Sequence, residues 1–396
     1  MSGQACGSAG RSCMGIVDEA ARLERAGKPI VHLEKGELDL DTPALVKESA
    51  IAALRTNRTR YSHSTGLPEL RQAISRHYEQ VYGVDVDPSR VVVGAGSSAV
   101  LLEVFLAVLE PGGEVILPDP GYPAYPSFVE AARGRVVYAG SADYGFRHTA
   151  ELVAKHITPA TKAVLINFPA NPVGQVASEA ELRAFANLGP LVVADEVYHG
   201  LAFDEGRPHT ILELTDNAVV IGSFSKSYAM TGWRLGYAIV PEWLRARVTR
   251  MHEYLFVGSN TFAQWGAVTA LENAAAIQRQ IRHELRRRQE CLLDALAACG
   301  LSPVYKPRGG FYVLVRQPPG TGTSAAFAAE LLSRTYVALT PGSEFGPSGE
   351  GCVRFSLSAP PGQIIDGLGR IAEFLHDNQP VLAEATKQLE LEKRLG

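Results

Sequence analysis

The chain has 396 residues, 46% of them hydrophobic, enough to bury a large core and to divide into two domains. Its formal net charge of -4 and pI near 6.2 give no electrostatic footprint for nucleic acid or an anionic membrane. No apolar run is long enough to span a bilayer, because residues 101–117 are interrupted by Glu103, Glu110 and a Pro-Gly-Gly turn.

Cys6, Cys13, Cys291, Cys299 and Cys352 are odd in number and scattered, without metal-ligand spacing, and read as thiols in a reducing compartment. With no secretory signal at the N-terminus, a soluble cytoplasmic protein is expected. The basic run Arg286-Arg287-Arg288, with Glu284 and Glu290 around it, reads as a solvated helix face.

Residues 1–14 read as an arm and 15–26 as an amphipathic helix stopped by Gly27 and Pro29. A short strand at 30–33 precedes Gly36 and a turn, in which Thr42 before Pro43 reads as a cap for a helix at 44–55. A loop holding Tyr61 and His63 leads into a helix at 68–82.

From Arg90 apolar strands alternate with helical patterns: strands at 91–93, 114–117, 135–138, 163–167, 191–194 and 218–223, with helices between them. That alternation predicts a mostly parallel sheet with helices on both faces, whose ligands sit beyond the carboxyl ends of the strands. Ser97, Asn171, Asp195 and Lys226 all fall there.

A long helical stretch at 243–298 carries the chain out of the sheet. Short strands at 309–315, 337–339 and 352–357, with helices at 324–334 and 361–378, describe a smaller α/β domain, and 380–396 is a charged helix end. The expected division is an arm and part of the small domain in 1–45, a large domain in 46–285 and a C-terminal small domain in 286–396.

Four stretches carry chemistry. In Ser223-Phe224-Ser225-Lys226, Lys226 lies between two core strands with Arg234 eight residues on. Apolar surroundings and a nearby cation weaken an amine's preference for the ammonium form, which suits it to attack an aldehyde. Gly94-Ala95-Gly96-Ser97-Ser98-Ala99 is a Gly-rich turn opening a helix, a phosphate cradle that also matches the dinucleotide pattern Gly-x-Gly-x-x-Ala. Asp195 ends a buried strand, where an ionised carboxylate suits a pyridinium nitrogen. Arg234 could clamp a phosphate with the hydroxyls of Ser223 and Ser225, and Arg354 a carboxylate. The plainer readings are a surface loop for Lys226, a cap for Asp195, a turn for Asn171-Pro172, a salt bridge for Arg234 and a solvent-facing Arg354. His32, His63, His199 and His209 read as surface or locally hydrogen-bonded residues, with no metal site.

The ordered set Gly-Ser-Ser, Pro-Gly-Tyr-Pro, Asn-Pro-x-Gly, Asp-Glu-x-Tyr, Ser-x-Ser-Lys and Thr-Gly-x-Arg resembles the class I/II aminotransferases, pyridoxal-phosphate enzymes of fold type I, from about Val31 to Arg354. The resemblance implies an α/β fold type I transferase with a mostly parallel seven-stranded sheet in the large domain and a smaller α/β domain. It implies a Schiff base with pyridoxal 5′-phosphate on Lys226, Asp195 on the ring nitrogen, Asn171 and Tyr198 on the ring oxygen, and Tyr122 stacked on the ring. Gly96, Ser97, Ser98, Ser223, Ser225 and Arg234 would hold the phosphate. Tyr61 would reach the phosphate of a neighbouring subunit in a homodimer, Arg354 would grip the substrate carboxylate, and the turn at Gly36 would close over it. Lys35, Leu38 and Val173 depart from the family pattern, mostly on the substrate side, so the amino acid and the 2-oxo acid stay unassigned.

Transamination is the expected outcome. Elimination, γ-substitution, cyclisation or oxidation on the same cofactor is the main alternative, and a nicotinamide or flavin oxidoreductase is a remote one.

Overall fold

The computed structural model describes residues 13–203 and 207–395. They form two compact units: a smaller one from the described residues up to 36 with 288–304 and 312 onward, and a larger one from 37–287 and 305–311.

Helix α1 (Cys13–Arg25) and strand β1 (Val31–His32) open the smaller unit. The larger unit begins with α2 (Ala44–Arg55) and α3 (Pro68–Tyr82). Proline at the first position of α3 and left-handed Gly83 after its last fix both ends of that helix. The cap expected of Thr42 does not form. Its hydroxyl instead donates to the Ala229 carbonyl at 2.5 Å and accepts from the Trp233 indole at 3.1 Å, a tertiary bond displacing a local one.

Next come β2 (Val91–Gly94), α4 (Ser97–Val108), β3 (Glu114–Asp119), α5 (Tyr125–Ala131) and β4 (Arg135–Gly140). They are followed by α6 (Ala150–Ala154), β5 (Thr161–Asn167), α7 (Glu179–Ala186), β6 (Leu191–Asp195), β7 (Ala218–Ser223) and β8 (Gly236–Ile239). A capping box between Ser178 and Glu181 starts α7.

The strands form one seven-stranded sheet in the order β2-β8-β7-β6-β5-β3-β4. All neighbours are parallel except β8, which runs against both β2 and β7. β2, β3, β6, β7 and β8 are buried along their whole length, as strands covered on both faces must be, while edge strand β4 is largely accessible. Fully buried side chains such as Leu101 and Phe105 of α4 each contribute roughly 1.5–3 kcal/mol.

The helical stretch expected at 243–298 is three helices, α8 (Glu242–Phe256), α9 (Thr261–Glu272) and α10 (Ala274–Ala298). The chain breaks where Val257 takes a φ of 63° and Ser259 gives its hydroxyl to the Val93 carbonyl at 3.1 Å. Periodicity alone does not register such an interruption.

In the smaller unit β9 (Tyr312–Arg316), β11 (Thr340–Pro341) and β12 (Cys352–Ser356) form an antiparallel sheet in the order β11-β12-β9, and β1 pairs in parallel with β10 (Val337–Ala338). Helices α11 (Ser324–Thr335) and α12 (Pro361–Leu395) complete it. The solvated face expected of the arginine run holds for Arg287, paired with Glu284, but not for Arg288, which is buried and donates to the Leu357 carbonyl at 3.0 Å. Among the described residues no helix is long and apolar enough to cross a membrane, and Cys291, Cys299 and Cys352 are thiols rather than disulfides.

Candidate functional site

The carboxyl rim of the seven-stranded sheet collects most of the residues singled out in the sequence. β8 is antiparallel to its neighbours, so its first residue lies at the end where β2 and β7 finish: Gly94 faces Gly236, and Gly236 faces Ser223. One strand further, Asp195 pairs with Ile221, and beyond it Asn167 pairs with Asp195.

The first three positions meet beside the N-terminus of α4. Gly96 precedes that helix with a φ of 93°, where a side chain is strained, and a Cβ on it would stand 2.6 Å from Nη2 of Arg234. A Cβ on Gly236 would stand 2.4 Å from the Ser97 nitrogen. The two glycines therefore let the Arg234 guanidinium, itself donating to the Thr231 carbonyl at 3.0 Å, and the start of β8 pack directly against the helix start. Ser97 and Ser98 form the half-buried first turn of α4, and buried Ser223 accepts from the Ser225 nitrogen at 3.1 Å. A helix N-terminus, a guanidinium and serine hydroxyls are groups suited to holding a dianionic phosphate.

Asp195 is 7% exposed. It accepts from the Tyr125 hydroxyl at 2.6 Å and from the Val197 nitrogen at 3.3 Å. Burial pushes its pKa up to about 6 against the pull of those two donors. A carboxylate buried this way calls for a cation beside it, and a protonated ring nitrogen is one.

Asn167 ties the rim together. Its amide donates to the Asp195 carbonyl at 2.8 Å, and its oxygen accepts from the Asn171 nitrogen at 2.8 Å, setting the buried Asn171 turn against the end of β6. The residues at 305–311 thread past that turn: a Cβ on Gly174, whose φ is 78°, would stand 2.4 Å from Cβ of Pro307, and the Arg308 nitrogen donates to the Gly174 carbonyl at 2.8 Å. Phe311 ends this segment with its ring 5.8 Å from that of buried Tyr198, edge to face, and 5.9 Å from Nζ of Lys226. Lys226 is half-buried, three residues beyond Ser223. Tyr122 stands edge to face with Tyr125 at 5.3 Å.

Next to Asp195, Glu196 is buried against the Thr210 hydroxyl and the Ile211 nitrogen, and burial pushes its pKa up to about 8. His199, 3.3 Å from that carboxyl, is pushed down to about 3 by its own burial. The distance fits an ion pair, but the burial of both favours a neutral pair. His199 also meets the Tyr82 hydroxyl at 3.0 Å, so its partner is remote in sequence and the residue is not at the surface.

Two sequence-predicted residues belong to the smaller unit. Arg354 is buried on β12, not solvent-facing, and Gly36 lies where a Cβ would come 3.3 Å from the Tyr312 hydroxyl. Tyr61 is 89% exposed. Asn167, Tyr125 and Phe311 escaped the sequence reading. Asn167 ends an apolar strand as Asp195 does, which is a usable signal, whereas nothing local marks the other two.

A family model for the aminotransferases of class I and II matches residues 28–371. The (5-formylfuran-3-yl)methyl phosphate transaminase of Methanocaldococcus jannaschii is 34% identical over 372 residues, 92% of this chain and 96% of that protein. A valine–pyruvate aminotransferase of Mycobacterium tuberculosis is 36% identical over 367 residues, 90% of this chain and 94% of the other. Among solved structures, a single mutant of the Thermus thermophilus aspartate aminotransferase superposes with a TM-score of 0.87 at 33% identity, covering 94% of this chain and all of that one.

Proposed function

Since the chain belongs to the class I and II aminotransferases, pyridoxal-phosphate enzymes that move an amino group between an amino acid and a 2-oxo acid, we propose that Lys226 is the amine that tethers the cofactor and moves the proton. When bound, the cofactor supplies an electron-withdrawing ring that accepts the electron pair of the substrate's Cα–H bond. The observation that carries the assignment is the rim itself: the turn at Gly96, the Lys226 loop and the buried Asp195 carboxyl lie at one end of four consecutive strands, β2, β8, β7 and β6.

In this reading Gly96, Ser97, Ser98, Ser223, Ser225 and Arg234 bind the phosphate. Asp195 holds a proton on the ring nitrogen, its ionised form favoured by Tyr125 and Val197. Asn171 and Tyr198 orient the ring through its hydroxyl oxygen, and Tyr122 covers one face. Lys226 Nζ, once displaced by the incoming amine, would take the proton from the substrate's Cα and deliver it to C4′ of the cofactor, and would carry it in the opposite direction when the second substrate is converted. Arg354 receives the substrate's α-carboxylate, with the turn at Gly36 closing beside it. The stretch 46–285 is the cofactor-binding domain, flanked by 1–45 and 286–396. Exposed Tyr61 serves the phosphate of a second copy, so the working form is a homodimer. The thiols of Cys291, Cys299 and Cys352 accord with a cytoplasmic enzyme.

The names of the relatives span a furan phosphate, valine with pyruvate, and aspartate, so the family alone does not select the substrate. The test is to load the protein with pyridoxal phosphate, reduce one portion with borohydride and locate the label by peptide mass, and offer the unreduced remainder a panel of amino donors. Label on the peptide holding Lys226, with one equivalent of 2-oxo acid released per site, is the expected result. Label elsewhere, or a Lys226→Ala variant with full turnover, overturns the assignment.

A further inference from the structure

Arg354 sits in a built socket. It is 5% exposed, on the central strand of the antiparallel sheet. Its guanidinium carbon lies 4.1 Å from the ring centre of Tyr312 and 4.8 Å from that of Phe345. Two aromatic faces restrict the plane of the cation and leave its rotation within that plane to hydrogen bonds.

Bonds to Glu34 and Thr340 are among them. Arg354 Nη2 donates to the Glu34 carbonyl at 2.7 Å and to Thr340 Oγ1 at 3.2 Å, and Thr340 Oγ1 donates in turn to the same carbonyl at 3.2 Å. The three atoms close a triangle. Thr340 is fully buried and is the direct cross-strand partner of Arg354, so its hydroxyl is delivered by the register of β11 on β12. The Glu34 carbonyl is held in place as well: the Leu33 nitrogen donates to the Ala338 carbonyl at 3.1 Å, the Ser356 nitrogen to the Leu33 carbonyl at 2.7 Å, and the buried Glu34 carboxylate meets His32 Nδ1 at 2.8 Å.

We propose that Thr340 is a positioning residue for substrate binding: with the Glu34 carbonyl it locks the rotation of the Arg354 guanidinium between Tyr312 and Phe345, and so sets how tightly the carboxylate of the amino acid or 2-oxo acid is held. The proposal rests on the reading of Arg354 as the carboxylate receptor. A carboxylate bound in fork geometry requires both of its donors aligned at once, so a guanidinium free to turn loses affinity without losing charge. The rate of the chemical step on bound substrate does not depend on this alignment, which places the effect in KM.

Thr340→Val removes the hydroxyl at nearly constant volume, and Thr340→Ser keeps it. The holoenzyme of each is assayed with an amino acid that the wild type converts, together with Arg354→Ala and the double variant, while cofactor absorbance and thermal unfolding report folding. The expected result is a rise in KM of about tenfold for Thr340→Val with kcat within about twofold, recovery in Thr340→Ser, and no further rise when Thr340→Val is added to Arg354→Ala. If Thr340→Val does not fold, Thr340→Ala replaces it in the same cycle. An unchanged KM in Thr340→Val while Arg354→Ala raises it overturns the positioning role and leaves the receptor standing, as does an equal effect of Thr340→Val with and without Arg354. An unchanged KM in Arg354→Ala instead overturns the receptor assignment itself.

Discussion

The hydroxyl of Tyr125 donates to Oδ2 of Asp195 at 2.6 Å, and both groups are buried. A donor aimed at the ionised carboxylate lowers its pKa, so removing it moves the acid above its present value of about 6. In the proposed role the ionised form is needed opposite a protonated ring nitrogen, so cofactor affinity is expected to weaken as pH falls through that pKa. Tyr125→Phe shifts this acidic limb to higher pH and, because part of the acid is then protonated at neutrality, weakens binding there several-fold. Absorbance titrations of pyridoxal phosphate into the cofactor-free protein at several pH values measure it, and an unmoved limb contradicts it.

Gly96→Ala places a methyl group against Arg234 in a backbone conformation that resists any side chain. The expected cost to stability is about 1–3 kcal/mol, and the affinity for cofactor phosphate falls about tenfold or more as the guanidinium is pushed aside. Urea unfolding and titration with pyridoxal phosphate and its unphosphorylated form separate the two effects. A variant weakened equally towards both forms argues against a phosphate site there.

Glu196 is protonated in the fold up to about pH 8 and ionises near 4.5 when unfolded. The stability this contributes is complete below the unfolded pKa and is lost as pH rises through the folded one. Glu196→Gln keeps the size and cannot ionise. Its stability relative to wild type therefore improves from about pH 5 to about pH 9, as read by denaturant unfolding. A constant offset over that range counts against a neutral Glu196.

Tyr61 is the most exposed of the large hydrophobic side chains among the described residues, at 89%. If its hydroxyl serves a second copy, mixing Tyr61→Phe with Lys226→Ala chains regenerates one intact site in each hybrid dimer, with Lys226 from one chain and Tyr61 from the other. Wild-type cofactor affinity at that site is the expected outcome. A mixture that titrates as the average of its two components shows that Tyr61 acts within its own chain or not at all.

The alternation from Arg90 to Ser223 was enough to anticipate a mostly parallel sheet, because strands buried on both faces are apolar throughout. The placing of Asp195, Lys226 and the turn at Gly96 at the strand ends was legible for a related reason: polar or glycine residues mark where apolar runs close. Tyr125 looked like a helix start and Phe311 like part of a strand, since each is defined by a partner far away in sequence. Thr42 and Arg288 were misread in the same way, the one taken from its cap by Ala229 and Trp233, the other drawn inward by a carbonyl of Leu357. The break between α8 and α9 depends on Ser259 reaching Val93, which no window of neighbouring residues contains.

The reversal of β8 has a mechanical consequence. Ser223, Lys226 and Arg234 belong to one short connection whose two ends are paired to each other through Ser223 and Gly236, so a ligand that orders Ser223 and Arg234 would order Lys226 with them. Inorganic phosphate alone, seated beside Gly96, would slow hydrogen exchange across the paired amides of β7 and β8, and so quieten the lysine before any aldehyde arrives.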